Sequence, residues 1–140
     1  MDTINGVSFV NDSKGTNPDS SIKAVESMEK DVILIAGGMD KGSDFTEFIH
    51  SFDGKIKHMV LLGETAEKIR QTAEKAGFHS ITMKKNMKEC VEEAYKLSKP
   101  GYTVLLSPAC ASWDMYPNYE VRGQDFKNNV KEIGRNMNAK

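Results

Sequence analysis

The stretch Asp31-Val32-Ile33-Leu34-Ile35-Ala36-Gly37-Gly38-Met39-Asp40-Lys41-Gly42-Ser43-Asp44 decides the fold. Five apolar residues in a row, rich in β-branched side chains, are too few for a buried helix. They suit a strand covered on both faces, which is the condition of a parallel sheet. The run stops at paired glycines and a polar turn, the kind of ending that carries a chain from a strand's carboxyl end to a helix. Two further runs read the same way, Lys57 to Leu62 and Tyr102 to Leu106, and these three are expected at the centre of the sheet. Gly6 to Asn11 and a weaker Ser80 to Met83 complete five strands.

Helical periodicity fills the intervals. Ala66, Ile69, Ala73 and Ala76 recur on one face, with Gly77 placed to cap the end in a left-handed conformation. Met87, Cys90, Val91, Ala94 and Leu97 form a second stripe, opened by an Asn86/Glu89 capping pair and closed by Pro100-Gly101. Ile22, Val25 and Met28 predict a helix entered through Asn17-Pro18, Thr46 to Phe52 a short one, and Phe126, Val130 and Ile133 another near the C-terminus. Met1 to Ile4 read as a strand leading into an Asn5-Gly6 hairpin turn. A hairpin half at the first residue leads us to expect that the natural protein extends further in the N-terminal direction. The alternation of strand and helix predicts an α/β fold: a Rossmann-like, open, mostly parallel sheet with helices on both faces and an antiparallel edge strand.

Composition narrows the function. At 140 residues, 39% hydrophobic and 28% charged, the chain has the make-up of one ordinary globular domain. Nineteen basic against twenty acidic residues leave no electrostatic footprint for nucleic acid or an anionic membrane. The apolar runs are far shorter than a membrane span and no signal pattern opens the chain, so a cytoplasmic location is expected. Cys90 and Cys110 lack metal-ligand spacing and are read as reduced, packed thiols, and His50, His58 and His79 form no ligand cluster.

In open α/β sheets, ligands bind outside the carboxyl ends of the strands. Three loops there hold unusual chemistry. Asn11-Asp12-Ser13-Lys14-Gly15-Thr16-Asn17 concentrates a carboxylate, an amine, hydroxyls and amides. Asn17 is read as a helix cap, whereas Lys14 and Thr16, a cation and a hydroxyl beside a helix start, could seat a carboxylate or phosphate. In the second loop, Gly37-Gly38 lets backbone approach a ligand and Lys41 can point a charge inward. The third, Ser107 to Tyr119, is a small-residue turn followed by the lone tryptophan, with Ser112 the better functional candidate and Trp113 a candidate for core. Neither a G-x-x-x-x-G-K-[ST] nor a G-x-G-x-x-G motif occurs, so the chain alone is not expected to hold ATP tightly. The residues by themselves point to a polar, partly cationic pocket for a small acidic molecule.

Asn-Asp-Ser-Lys-Gly-Thr-Asn at 11–17, Gly-Gly-Met-Asp-Lys at 37–41 and Leu-Leu-Ser-Pro-Ala-Cys-Ala-Ser at 105–112 occur in this order, followed by Arg122-Gly123 and Phe126. Together they resemble the C-terminal domain of the Mur ligase family, in the version of its loops found in the D-glutamate-adding members. The resemblance implies a single domain over residues 1–140, without the uridine-binding and ATPase domains, and inactive as a ligase on its own. In the full-length enzyme it implies ATP and Mg, UDP-N-acetylmuramoyl-L-alanine as the other substrate, and a central ATPase domain over which this one closes. Carried over by position, Thr16, Lys41, Ser112, Trp113 and Tyr119 would hold D-glutamate, with Asp12 and Lys14 facing the nucleotide. Trp113 stands where the family often has leucine, and Tyr119 where phenylalanine is common. The alternative is a free-standing small-molecule-binding or regulatory α/β domain without ligase activity.

Overall fold

The structure is a computed structural model and describes residues 2–39, 42–112 and 115–138. Six strands form one sheet in the order β1-β2-β6-β3-β4-β5. β1 (Asp2–Ile4) and β2 (Val7–Asn11) make the expected hairpin, with Asn5 and Gly6 both at positive φ, 50° and 80°, as a tight two-residue turn requires. β2, β6 (Thr103–Leu106), β3 (Val32–Ala36), β4 (Ile56–Leu61) and β5 (Ile81–Met83) run parallel, so the three most apolar runs do hold the centre.

The period-two geometry of the strands sends alternate residues to two cores. Val32, Leu34, Ala36, Met59, Leu61 and Leu105 face α1 (Pro18–Glu26), α2 (Thr46–His50) and α3 (Ala66–Lys75), where Val25, Phe48, Phe52 and Ile69 meet them. Ile33, Ile35, Val60, Val104 and Leu106 face α4 (Met87–Leu97) and α5 (Tyr119–Asn138), which supply Met87, Val91, Phe126 and Val130. Neither Cys90 nor Cys110 forms a disulfide, and both are buried. Burial pushes the Cys90 thiol up to about 12, so it packs as an apolar group.

Local signals worked as anticipated. The Asn17 side chain accepts the Ser20 N–H, Asn86 accepts the Glu89 N–H, and Gly77 at φ 89° ends α3 in a Schellman arrangement, with the Phe78 N–H on the Ala73 carbonyl. α5 begins seven residues before Phe126. Its first turn is held by Asn118, whose side chain accepts the Val121 N–H. No apolar stripe runs through Glu120 to Asp125, so periodicity could not find this part. Among the described residues no helix is long and apolar enough to cross a membrane, and no group of three His, Cys, Asp or Glu could hold a metal.

One consequence of the strand order positions the site. β2 leads to α1 on one face of the sheet, while its neighbour β6 leads to α5 on the other. The loops leaving these adjacent strands therefore diverge, and a crevice opens at the carboxyl edge between them.

Candidate functional site

The three loops picked out in the sequence meet at that crevice. The first continues the sheet pairing for one residue, the Asp12 N–H bonding the Leu106 carbonyl at 2.7 Å, and then folds on itself. Asn11 Oδ1 accepts the Ser13 N–H at 3.0 Å and the Asp12 carbonyl accepts the Gly15 N–H at 2.9 Å. A Cβ at Gly15 would come within 2.8 Å of Asp12 Oδ2 and 2.9 Å of the Ser21 hydroxyl, so those side chains would have to shift to admit one.

The second and third loops are stitched together through backbone. The Gly37 N–H bonds the Pro108 carbonyl at 2.9 Å and the Met39 N–H bonds the Ala111 carbonyl at 2.8 Å. A side chain on Gly38 would collide with the Ala111 carbonyl oxygen, so Gly38 serves this close approach of two loops. Ala109, buried, sits at φ 62°, a conformation an L side chain rarely adopts and one that surrounding contacts must hold.

Buried polar side chains make the remaining ties. The Ser107 hydroxyl donates to Asp12 Oδ2 at 2.7 Å and lies 2.8 Å from the Ser21 hydroxyl, joining the first and third loops. Thr65, at the start of α3, accepts the Gly38 N–H at 3.0 Å. Its hydroxyl also lies 3.1 Å from the Gly38 carbonyl and 3.3 Å from Cys110 Sγ. Arg122, on the first turn of α5, is 2% exposed and bonds both Ser13 and the Cys110 carbonyl. Tyr116 donates its hydroxyl to Asp125, anchoring the tail of the third loop on α5. Burial, followed by that carboxylate, pushes the phenol above its usual range.

Sequence reasoning did not single out Thr65 or Arg122 as site-builders. Thr65 reads as an ordinary residue before a helix, and an arginine is normally assigned to solvent. The signals available for Arg122 were its place one turn ahead of the apolar Phe126 stripe and its part, with Gly123, in the pattern that carries the family resemblance; neither assigns it a role.

The candidate residues divide between separate hollows. Thr16 lines a cleft of about 90 Å³ with Met39, Ser43, Phe45, Cys110 and Ala111, where all three loops meet. Tyr119, 40% exposed, lines a wider hollow of about 300 Å³ with Asn11, Lys14, Gln124 and Lys127. Lys14 also borders a third hollow of about 360 Å³, beside Asp12, Ser20 and Lys23 on the α1 side. Ser112 is buried, and its carbonyl accepts the Met115 and Tyr116 N–H groups. Lys41 and Trp113 lie outside the described residues. Ser13 is buried and donates its hydroxyl to the Tyr119 carbonyl at 2.6 Å.

A two-faced α/β sheet with a hydrogen-bonded rim of loops at a topological switch point defines a Rossmann-like α/β domain. Residues 1–110 match the Mur ligase, glutamate ligase domain, and the chain belongs to that family. It is 56% identical over 135 residues to the UDP-N-acetylmuramoylalanine--D-glutamate ligase of Alkaliphilus oremlandii, covering 96% of this chain and 30% of the relative. The enzyme of the same name from Clostridioides difficile is 55% identical over 130 residues, 93% of this chain and 29% of the relative. Among solved structures, UDP-N-acetylmuramate-alanine ligase MurC from Thermotoga maritima superimposes with a TM-score of 0.60 over 95% of this chain and 29% of its own. At 11% identity it supports the fold alone. The chain thus spans about 30% of the length of the curated relatives it matches.

Proposed function

We propose that this chain is the C-terminal, D-glutamate-binding domain of an ATP-dependent ligase that adds D-glutamate to UDP-N-acetylmuramoyl-L-alanine in the cytoplasm, a step of peptidoglycan precursor synthesis. The observation that carries the proposal is identity above 50% to ligases of that name along nearly the whole chain, with the three polar loops gathered at one sheet edge. A dicarboxylic amino acid needs cations and hydrogen-bond donors around it. In this reading Thr16, Lys41, Ser112, Trp113 and Tyr119 supply its seat, and Asp12 and Lys14 face the nucleotide side.

ATP would activate the acceptor carboxylate for attack by the amino group of D-glutamate. The chain has no phosphate loop, so in this reading the nucleotide, and Mg with it, are assigned to another domain. This chain's own contribution is to orient the amine, and misplacement by an ångström costs orders of magnitude in rate. The register of β1 supports such a division of labour. Asp2 pairs with Phe9, two residues from the loop edge, so a domain preceding Asp2 in a longer ligase would join beside the crevice and could close over it.

A titration of the chain with D-glutamate, followed by amide NMR with L-glutamate as control, tests the reading. Shifts at Gly15, Thr16 and Ser112 with the D isomer in preference to the L isomer are expected. Equal responses to both isomers would sink it.

A further inference from the structure

We propose that Arg122 is the positioning residue that locks the three carboxyl-edge loops into one rim, so that they are placed together and not loop by loop. Its guanidinium reaches out of α5 in three directions: Nε to the Ser13 hydroxyl at 3.0 Å, Nη2 to the Ser13 carbonyl at 2.7 Å, and Nη1 to the Cys110 carbonyl at 2.9 Å. Ser13 belongs to the first loop and Cys110 to the third. The second loop is coupled to the same point, since the Thr65 hydroxyl touches both Gly38 and Cys110 Sγ, and the Ala111 carbonyl holds Met39.

Two glycines leave room for this arrangement. A Cβ on Gly38 would sit 3.3 Å from Arg122 Nη1, and one on Gly123 would sit 2.9 Å from Asn11 Nδ2 and 3.1 Å from Ser13 Cβ. The base of the clamp is firm, because Phe126 and Val130, one and two turns along α5, are buried in the core.

A buried guanidinium is costly unless its donors are filled, and filling them from two loops makes its placement depend on both. The planar fork can bridge two loops at once. A lysine in its place gathers its donors on one nitrogen and lacks the fork that spans the two loops. What the rim then does for catalysis rests on the D-glutamate reading, but the coupling of the loops does not.

The experiment is amide hydrogen exchange on this chain and its Arg122→Lys variant. The amides of Gly15, Met39 and Tyr116 report on the first, second and third loops through their bonds to Asp12, Ala111 and Ser112, and Leu34, Val60 and Leu105 report on the sheet. Exchange is expected to accelerate about tenfold or more at all three loop amides together, with less than about a twofold change in the sheet. A change confined to Gly15, or a uniform rise across loops and sheet, overturns the proposal, the second being the mark of a residue that merely supports the fold.

Should Arg122→Lys fail to fold, Ser13→Ala removes one acceptor and leaves the arginine. It is expected to speed exchange at Met39 and Tyr116 by about threefold, and unchanged rates there would overturn the inference. Failure of the wild-type chain to distinguish D- from L-glutamate would count against the proposed function, while the rim stands or falls on the exchange data.

Discussion

The interior of the sheet sandwich and the rim of loops at its carboxyl edge are equally buried but are filled differently. Around the sheet, Leu34, Ile35, Met59, Leu61, Phe48 and Phe126 exclude water by area alone. At the edge, Ser13, Ser21, Thr65, Ser107, Ser112 and Arg122 are just as inaccessible, and among the described residues no buried side-chain nitrogen or oxygen lacks a partner. Apolar contacts are non-directional, so the interior should tolerate changes of shape that conserve volume. Hydrogen bonds in a dry site are directional and expensive to leave unmade, so the edge should be sensitive to single atoms.

The largest effect is expected where the two regions join. Gly37 at φ 114° ends β3, and a Cβ there would strike the Leu62 carbonyl oxygen at the end of β4. Gly37→Val adds a β-branched side chain to a backbone it cannot adopt, against a carbonyl held in place by the sheet. A loss of about 5 kcal/mol or failure to fold is expected, read by urea denaturation. Near-native stability would mean that the seam yields and that the two regions are less distinct than the contacts indicate.

Within the interior, Phe48→Ala should cost about 3–5 kcal/mol, because Phe48 is fully buried and stacks edge-on against Phe52 with ring centroids 5.2 Å apart. The loss should appear as a lower midpoint with the loops unchanged in the folded state. At the rim, Thr65→Val keeps shape and removes the hydroxyl, leaving the buried Gly38 N–H without its acceptor, at about 1–3 kcal/mol. The two cysteines separate these outcomes. Labelling of Cys110 by a thiol reagent should quicken in Thr65→Val by more than the fall in global stability explains, while Cys90, in the core, continues to report global unfolding. Equal acceleration at both thiols would erase the distinction between rim and interior.

The same division explains how much was legible in the sequence. Area-driven structure leaves periodic traces: the runs at Val32 to Ala36 and Thr103 to Leu106, and the stripe from Met87 to Leu97, gave the central strands and α4 to within a residue or two. Cap chemistry at Asn17, Asn86 and Gly77 was equally readable, being local. The rim was legible as a set of loops but not as a structure, because its ties join residues far apart in the chain, Ser107 to Asp12 and Arg122 to Ser13. Nothing in the local sequence marks Thr65 or Arg122 as buried. Nor could it reveal that Thr16 and Tyr119 line different hollows.

The smallest predicted effect concerns the sheet's own response to pH. His58 on β4 is half-buried, with Nε2 2.7 Å from the Thr82 hydroxyl on β5; burial lowers its pKa, and Glu93 on α4, itself 4.0 Å from Lys84, opposes that shift. The folded chain therefore binds fewer protons at this site than the unfolded chain near the usual histidine value of about 6.5. By linkage, the associated stability is present above that value and declines as pH falls through it toward the lower folded pKa. His58→Gln should flatten the fall in melting temperature between about pH 8 and about pH 5 and leave exchange at Gly15, Met39 and Tyr116 unaltered, since the substitution lies in the sheet. An altered rim would show that protonation in the sheet reaches the loops, and the interior and the edge would then have to be treated as one cooperative unit.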